Sequence, residues 1–199
     1  PMDVQRNTLT EEYKKAVQEA SKVVKAGGII LYPTDTIWGL GCDATNEEAV
    51  QRIFTLKGRA ESKAMLLLID SDAKLPGLVR EVPDIAYQLI DAAVSPLTLI
   101  YPGGRNVASS LIAPEGTLGI RITHEAFSRA LCTAVRVPLV STSANFSGQP
   151  APKIFAEISE EIKAAVDYVV PVRQDECTPA RPSEIISIGL GGEVKILRS

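Results

Sequence analysis

The sequence predicts an α/β fold, a twisted mixed sheet flanked by helices, as one domain over residues 1–199. Three observations carry this. Short, nearly continuous apolar runs at 29–32 (IILY), 64–69 (AMLLLI) and 97–101 (LTLIY) have the length and composition of buried strands. Through most of the chain such runs alternate with segments of helical spacing, as in βα units. Two last strands, near 184–188 and 194–197, follow one another around the turn GLGG, so parallel and antiparallel pairs must coexist.

The elements follow in order. Thr8 or Thr10 caps a first helix that begins with Glu11 and Glu12 and buries Tyr13, Val17, Ala20 and Val24. Gly27 and Gly28 close it. The strand 29–32 stops at Pro33, which has no N–H for a central ladder. Thr34, Asp35 and Thr36 then stand at a strand end, where α/β sheets place ligand-facing groups. Trp38, Gly39 and Gly41 form the turn out. Thr45 opens a helix with Glu48 as its capping-box partner, and Gly58 ends it, bracketed by Lys57 and Arg59. Further helices are expected at 83–94, 124–135 and 154–166. Strands are expected at 64–69, 97–101, 117–122, 138–140 leading into STSAN, and 167–172.

Composition narrows the function classes. With 21 Lys+Arg against 24 Asp+Glu the net charge is −3, which argues against a general nucleic-acid coat protein but permits a local basic pocket for a phosphate-bearing ligand. Cys42, Cys132 and Cys177 are widely spaced and His124 is the single histidine, so no zinc site or Cys–His nucleophile is expected. The thiols read as reduced and cytosolic, and no secretory or membrane-spanning segment is evident, which places the protein in the cytoplasm.

Walker-type and G-x-G-x-x-G fingerprints are absent, and spacing reveals neither paired carboxylates nor a metal cage. A nucleotide would have to be held by scattered cations, hydroxyls and backbone N–H groups. In the stretch VSTSANFSG the strand end, VSTSAN, presents three hydroxyls and an amide, which is either a Ser/Asn-rich turn or a ligand rim. Arg121 interrupts the apolar strand TLGIRI and needs an anionic partner. An internal carboxylate and a bound ligand are both open as that partner.

The order PTDT, WGLG, then a helix ending in LKGR, followed by SAN and SG, resembles the YrdC/Sua5 family of threonylcarbamoyl-adenylate synthases, in its short single-domain bacterial form. SPLTLIYPGG, GTLGIRIT, RPSEIISIG and the final VKILR extend the likeness along almost the whole chain. The resemblance implies a YrdC-like (YrdC/RibB) fold and the formation of threonylcarbamoyl-AMP and pyrophosphate from L-threonine, bicarbonate and ATP, for the t6A modification of tRNA. It implies Lys57, Arg59, Ser143 and Asn145 as the catalytic set. ATP is assigned Lys57, Arg59, Lys63, Thr117, Ser143, Asn145 and Arg198, and threonine is assigned Thr36, Arg121, Ser141 and Ser183. One deep pocket should gather these residues, and Arg121 should serve threonine and not fold stability. Mg2+ is expected with ATP and no metal is assigned to the protein itself. The partners implied are the threonylcarbamoyl-transferase proteins, with a weak contact to tRNA and none to membrane.

The chain departs from the family pattern in places. Lys63-Ala64-Met65 and Leu68 stand where lysine-proline-leucine and a basic strand residue are common, Ser95 replaces a frequent glycine, and the late motif is PSE and not PST. A further C-terminal domain, as in Sua5-type members, is not expected. The alternative is a non-catalytic RNA-binding or translation-associated module using the same basic concavity. A carbamoyl-adenylate-forming relative, like the YrdC-like domain of hydrogenase maturation proteins, is a third reading.

Overall fold

A computed structural model describes residues 9–58 and 65–199. Arg59 and Lys63 therefore lie outside the described residues, as does the first candidate cap, Thr8.

The expected alternation holds. α1 (Glu11–Lys25) is capped by the Thr10 hydroxyl, which accepts from Tyr13 N, and buries Ala16, Val17, Ala20, Ser21 and Val24. β1 (Ile30–Tyr32) is fully buried. The expected turn at 38–41 contains a strand instead, β2 (Gly39–Gly41), antiparallel to both β1 and β6 (Leu139–Ser143). Glycine makes this possible: a Cβ on Gly41 would come within 2.5 Å of the Tyr32 ring and 2.7 Å of the Val140 carbonyl oxygen. α2 (Glu47–Lys57) starts one residue later than expected. Asn46 is its cap, accepting from Ala49 N, while Thr45 is engaged by Asp43. Gly58 ends α2 in the left-handed region at φ 77°, as expected.

β3 (Leu66–Ile69) leads through a one-turn 3-10 helix to α3 (Leu75–Leu78), which periodicity did not reveal because it spans only one turn. α4 (Asp84–Ala92), β4 (Leu97–Tyr101), β5 (Leu118–Ile122) and α5 (Ala126–Val135) follow nearly as expected, although Pro83 caps α4 and does not sit in its first turn. The helix expected at 154–166 is divided. A 3-10 turn at Phe155–Glu157 precedes α6 (Glu160–Ala165), which starts only after its cap Ser159. The strand expected at 167–172 shrinks to β7 (Tyr168–Val169), and β8 (Glu184–Ile188) and β9 (Val194–Arg198) close the chain as a hairpin.

Among the described residues the strands form one mixed sheet in the order β7-β1-β2-β6-β3-β5-β4-β8-β9. β3–β5, β4–β8 and β1–β7 are parallel and the other pairs antiparallel. Apolar side chains fall into two clusters. One takes in α2 and α4 residues with Leu67, Leu99, Tyr101 and Ile120; the other takes in α1 and α5 residues with Ile30, Leu31, Tyr32 and Leu68. Alternation along β5 is the consequence that matters for the site. Leu118 and Ile120 enter the first cluster, so Gly119 and Arg121 face the other way.

Candidate functional site

Register carries Arg121 into a row across the sheet. It pairs with Leu68 of β3 and Thr98 of β4; Thr98 pairs with Ile185 of β8, and Ile185 with Arg198 of β9. Two cations from distant parts of the sequence thus share one row, three strand spacings apart, or roughly 14 Å between backbones. Above this row lies a cavity of about 510 Å³, within the size range of small-molecule sites. The turn Thr36–Gly39, the β6 residues Ser141, Thr142 and Ser143, the loop carrying Lys153, and Ser183 complete its wall together with Arg121 and Arg198.

The wall is electropositive. Among its described residues Arg121, Lys153 and Arg198 are cations and none is a carboxylate. Burial, and then repulsion from Arg121, push the Arg198 guanidinium below its ordinary pKa. An anion entering the cavity would offset the repulsion between the two guanidinium groups. A protein of net charge −3 has thereby concentrated positive charge where it buries its hydroxyls.

Each group is held by its neighbours. The Arg121 Nε donates to Asp35 Oδ1 and Oδ2 at 3.0 and 3.2 Å, one terminal nitrogen donates to Thr36 Oγ1 at 3.1 Å, and the other reaches Thr98 Oγ1 at 3.4 Å. Thr98 and Ser183 share a hydroxyl bond of 2.7 Å, and the Ser183 carbonyl accepts from Arg198 Nε at 2.8 Å. A chain of polar contacts therefore runs from Asp35 to Arg198. Of the two partners left open for Arg121, the internal carboxylate is present, so the expectation that Arg121 has no part in fold stability is corrected. A buried guanidinium is strongly destabilised without a paired charge.

Lys57 approaches from behind β6. It lies at the end of α2, only 1% exposed, and its ammonium donates to the Ser143 carbonyl at 2.5 Å and to Thr142 Oγ1 at 3.2 Å, with Ser143 Oγ and Asn145 Oδ1 at 3.3 and 3.5 Å. The Lys57 carbonyl in turn accepts from Ser147 N. Lys57, Ser143 and Asn145, separated by up to 88 residues in sequence, are thus one cluster. Asn145 stands behind the wall, its amide donating to the Phe146 and Gln149 carbonyls.

The expected site is therefore largely assembled. Thr36, Arg121, Ser141, Ser143, Ser183 and Arg198 line the cavity, with Lys57 and Asn145 bonded to its β6 wall. Thr117 does not join them. It shares the Arg121 face but stands four residues away, roughly 13 Å along the strand, with its hydroxyl donating to Glu115. Sequence reasoning missed Lys153, which sits in a stretch legible only as loop, and Trp38 as wall residues, and Thr98 as the buried link between Arg121 and Ser183. It also missed Asp35 as the partner of Arg121, although a lone carboxylate and a lone strand arginine in apolar surroundings are a signal for that pairing. No group of three or more His, Cys, Asp or Glu among the described residues is placed to hold a metal ion. No helix among them is long and apolar enough to cross a membrane.

The family model described as Telomere recombination, that of the Sua5, YciO and YrdC proteins, matches residues 22–199. The chain belongs to the Sua5/YciO/YrdC family. The threonylcarbamoyl-AMP synthase of Idiomarina loihiensis is 34% identical over 174 residues, covering 85% of this chain and 91% of that protein. The protein of the same name from Pseudomonas fluorescens is 33% identical over 155 residues, covering 77% and 83%. Among solved structures, P. abyssi Sua5 complexed with L-threonine superposes with a TM-score of 0.78 at 26% identity, covering 91% of this chain and 52% of that one. The chain thus spans about half the length of that Sua5. E. coli YciO shares the fold, with a TM-score of 0.79 at 22% identity over 94% of this chain and 89% of that one.

Proposed function

We propose that the protein is an L-threonylcarbamoyladenylate synthase, a nucleotidyltransferase that makes threonylcarbamoyl-AMP and pyrophosphate from L-threonine, bicarbonate and ATP for the t6A modification of tRNA. The observation that carries this reading is the cavity wall: three cations and a row of hydroxyls facing one space, with no carboxylate among its described residues. Such a wall suits a triphosphate beside an amino-acid carboxylate. The curated relatives named threonylcarbamoyl-AMP synthase, similar over most of both chains, support the same reaction.

The chemistry asks for positioning and charge neutralisation more than for a protein nucleophile. The threonine amine adds to the carbon derived from bicarbonate, with loss of water, to give a carbamate. A carbamate oxygen then forms a bond to the α-phosphorus of ATP as the bond to the β-phosphate oxygen breaks and pyrophosphate leaves. In this proposal Arg121 and Thr36 receive threonine, with Ser141 and Ser183 beside them, and the paired Asp35 fixes the plane of the guanidinium. Ser143 meets the nucleotide phosphates from the β6 wall, Lys57 and Asn145 act on them from the cluster bonded to that wall, and Arg198 and Lys153 add positive charge within the same cavity. Arg59 and Lys63 are assigned to the triphosphate on the family resemblance alone. Mg2+ comes with ATP, because hydroxyls without a carboxylate make no cage for it. The product passes to separate threonylcarbamoyl-transferase proteins, and tRNA makes at most a weak contact here.

The test is pyrophosphate release from ATP by the purified protein. Release that requires both threonine and bicarbonate is the expected result. ATP turnover indifferent to threonine, or none at all, would defeat the proposal and move attention to the RNA-binding alternative, whose mark is steeply salt-dependent binding.

A further inference from the structure

Arg173 has φ 64°, a left-handed conformation that arginine rarely adopts. Strained residues persist where surrounding contacts over-determine them, and here those contacts can be named. Arg173 Nη1 donates to the Thr34 carbonyl at 3.0 Å and lies 3.1 Å from Glu125 Oε2. Its Nε and Nη2 clamp the Glu176 carboxylate at 2.8–3.0 Å. Glu125 in turn caps α5, accepting from Phe127 N and Ser128 N. One guanidinium therefore joins the loop after β7, the start of α5 and the turn after β1.

That turn matters because the two residues after Thr34 are Asp35 and Thr36, both partners of Arg121. Within the turn Thr34 Oγ1 accepts from Thr36 N and donates to the Ile37 carbonyl. These local bonds shape the turn but do not fix it to the rest of the molecule. Arg173 supplies an anchor from outside, at the peptide that leads into Asp35. It is not part of the cavity wall, so its effect on a ligand would be indirect.

We propose that Arg173 is a positioning residue for the threonine end of the cavity, setting the turn that presents Asp35 and Thr36 to Arg121. This rests on the proposed synthase activity. The bland competitor is that Arg173 merely ties down a loop, and the two differ in what they affect. Loosening a loop would disturb both substrates or stability alone, whereas displacing Asp35 and Thr36 should affect threonine and spare ATP.

Arg173→Gly isolates the side chain, because glycine accepts the left-handed backbone without strain. The expected result is a KM for threonine raised about tenfold, with the KM for ATP within about twofold of wild type. Arg173→Lys should recover only part of the loss, since one ammonium cannot reproduce a fork shared among three acceptors. Trp38, the single tryptophan, follows the turn directly and packs against Phe155 with ring centroids 4.8 Å apart. Acrylamide quenching of its fluorescence should increase in Arg173→Gly, a readout independent of activity. Equal changes in both KM values, or unchanged threonine KM with unchanged quenching, would overturn the inference. A wild type that releases no pyrophosphate would refute the synthase reading, leaving Trp38 quenching to decide whether Arg173 positions the turn.

Discussion

Asp35 closes on Arg121 across 86 residues of sequence, with the arginine Nε 3.0 Å from one carboxylate oxygen and a terminal nitrogen 2.9 Å from the same oxygen. Arg121 is 3% exposed and Asp35 13%. The pair explains how a charged strand residue is tolerated beside two apolar clusters. It also divides the guanidinium, because Asp35 and Thr36 take one edge while the remaining donors face Thr98 and the cavity. Arg121 is therefore a fold residue and a candidate ligand residue at once.

Arg121→Ala should accordingly do two things. It leaves Asp35 buried without its countercharge, which costs about 3–5 kcal/mol when a buried pair is broken from one side. It also removes the proposed threonine contact, raising the threonine KM on the order of 10–100-fold, the range for a lost hydrogen bond to a charged group. Adding Asp35→Ala should recover much of the stability and none of the threonine affinity. Denaturation and kinetics on the two single variants and the double variant check this. Recovery of both properties together would show that Arg121 acts only through the fold.

The fold was legible because strand-length apolar runs and helical spacing are local signals. β4, β8 and the α1 cap needed nothing beyond their own residues. Errors arose where tertiary contacts decided. β2 is two glycines and a leucine, with no strand pattern of its own, and exists because Tyr32 and β6 approach so closely. The site was legible only as fragments: by themselves Lys57 and the hydroxyl run after Val140 read as an ordinary helix end and turn, and the order of motifs along the chain, in its resemblance to the family, singled them out. That they meet depends on β2, β6 and β3 being neighbours, which no local signal encodes.

Asp70 offers a test of stability against pH. It directly follows β3, accepts from Thr133 Oγ1 of α5 at 2.6 Å and pairs with the Lys74 ammonium. Burial pushes its pKa up, but the bonds from Lys74 and Thr133 outweigh burial and hold it below the ordinary aspartate value. A folded pKa below the unfolded one, about 3.9, means stability present above that pH and lost as pH falls through the lower value. Asp70→Asn should therefore be less stable than wild type at pH 7, and the gap should narrow toward pH 3. Denaturation midpoints over that range check it, and a gap that stays constant would contradict the assignment.

Lys153 should contribute to ATP binding through charge alone. It is exposed at the cavity rim and its side chain makes no ion pair among the described residues. Lys153→Gln should raise the ATP KM by roughly 3–10-fold at low salt and leave kcat nearly unchanged, as for lost uniform binding. The difference should shrink as salt rises, because an exposed charge is screened within about 8 Å at physiological ionic strength. Equal effects on threonine and ATP, or no salt dependence, would count against this role.

Lys57 poses the sharpest question, since its position satisfies two accounts. As a lysine in the last turn of α2 it complements the helix dipole, an effect of only about 0.3–1 kcal/mol at a surface site. Its burial against Ser143, Thr142 and Asn145 adds a second structural contribution. Removing the donor takes the ammonium from Thr142 Oγ1 and Asn145 Oδ1, at about 1–3 kcal/mol, while the Ser143 carbonyl keeps its bond from Asn145 N. Stability alone therefore cannot separate the accounts, and activity must be read beside it. In the catalytic account the ammonium holds the end of β6 in place and brings positive charge to the transferring phosphate, so its loss should slow turnover on the order of 100-fold or more. Lys57→Met keeps most of the buried packing and removes the charge; Lys57→Ala removes both. The expected pattern is that Met melts closer to wild type than Ala does while both lose pyrophosphate release to a similar extent. Thermal melts and the release assay on the same preparations provide the comparison. If release instead follows the melting temperature, with Lys57→Met nearly active, Lys57 is a structural tie between α2 and β6 and the phosphate charge must come from elsewhere in the site.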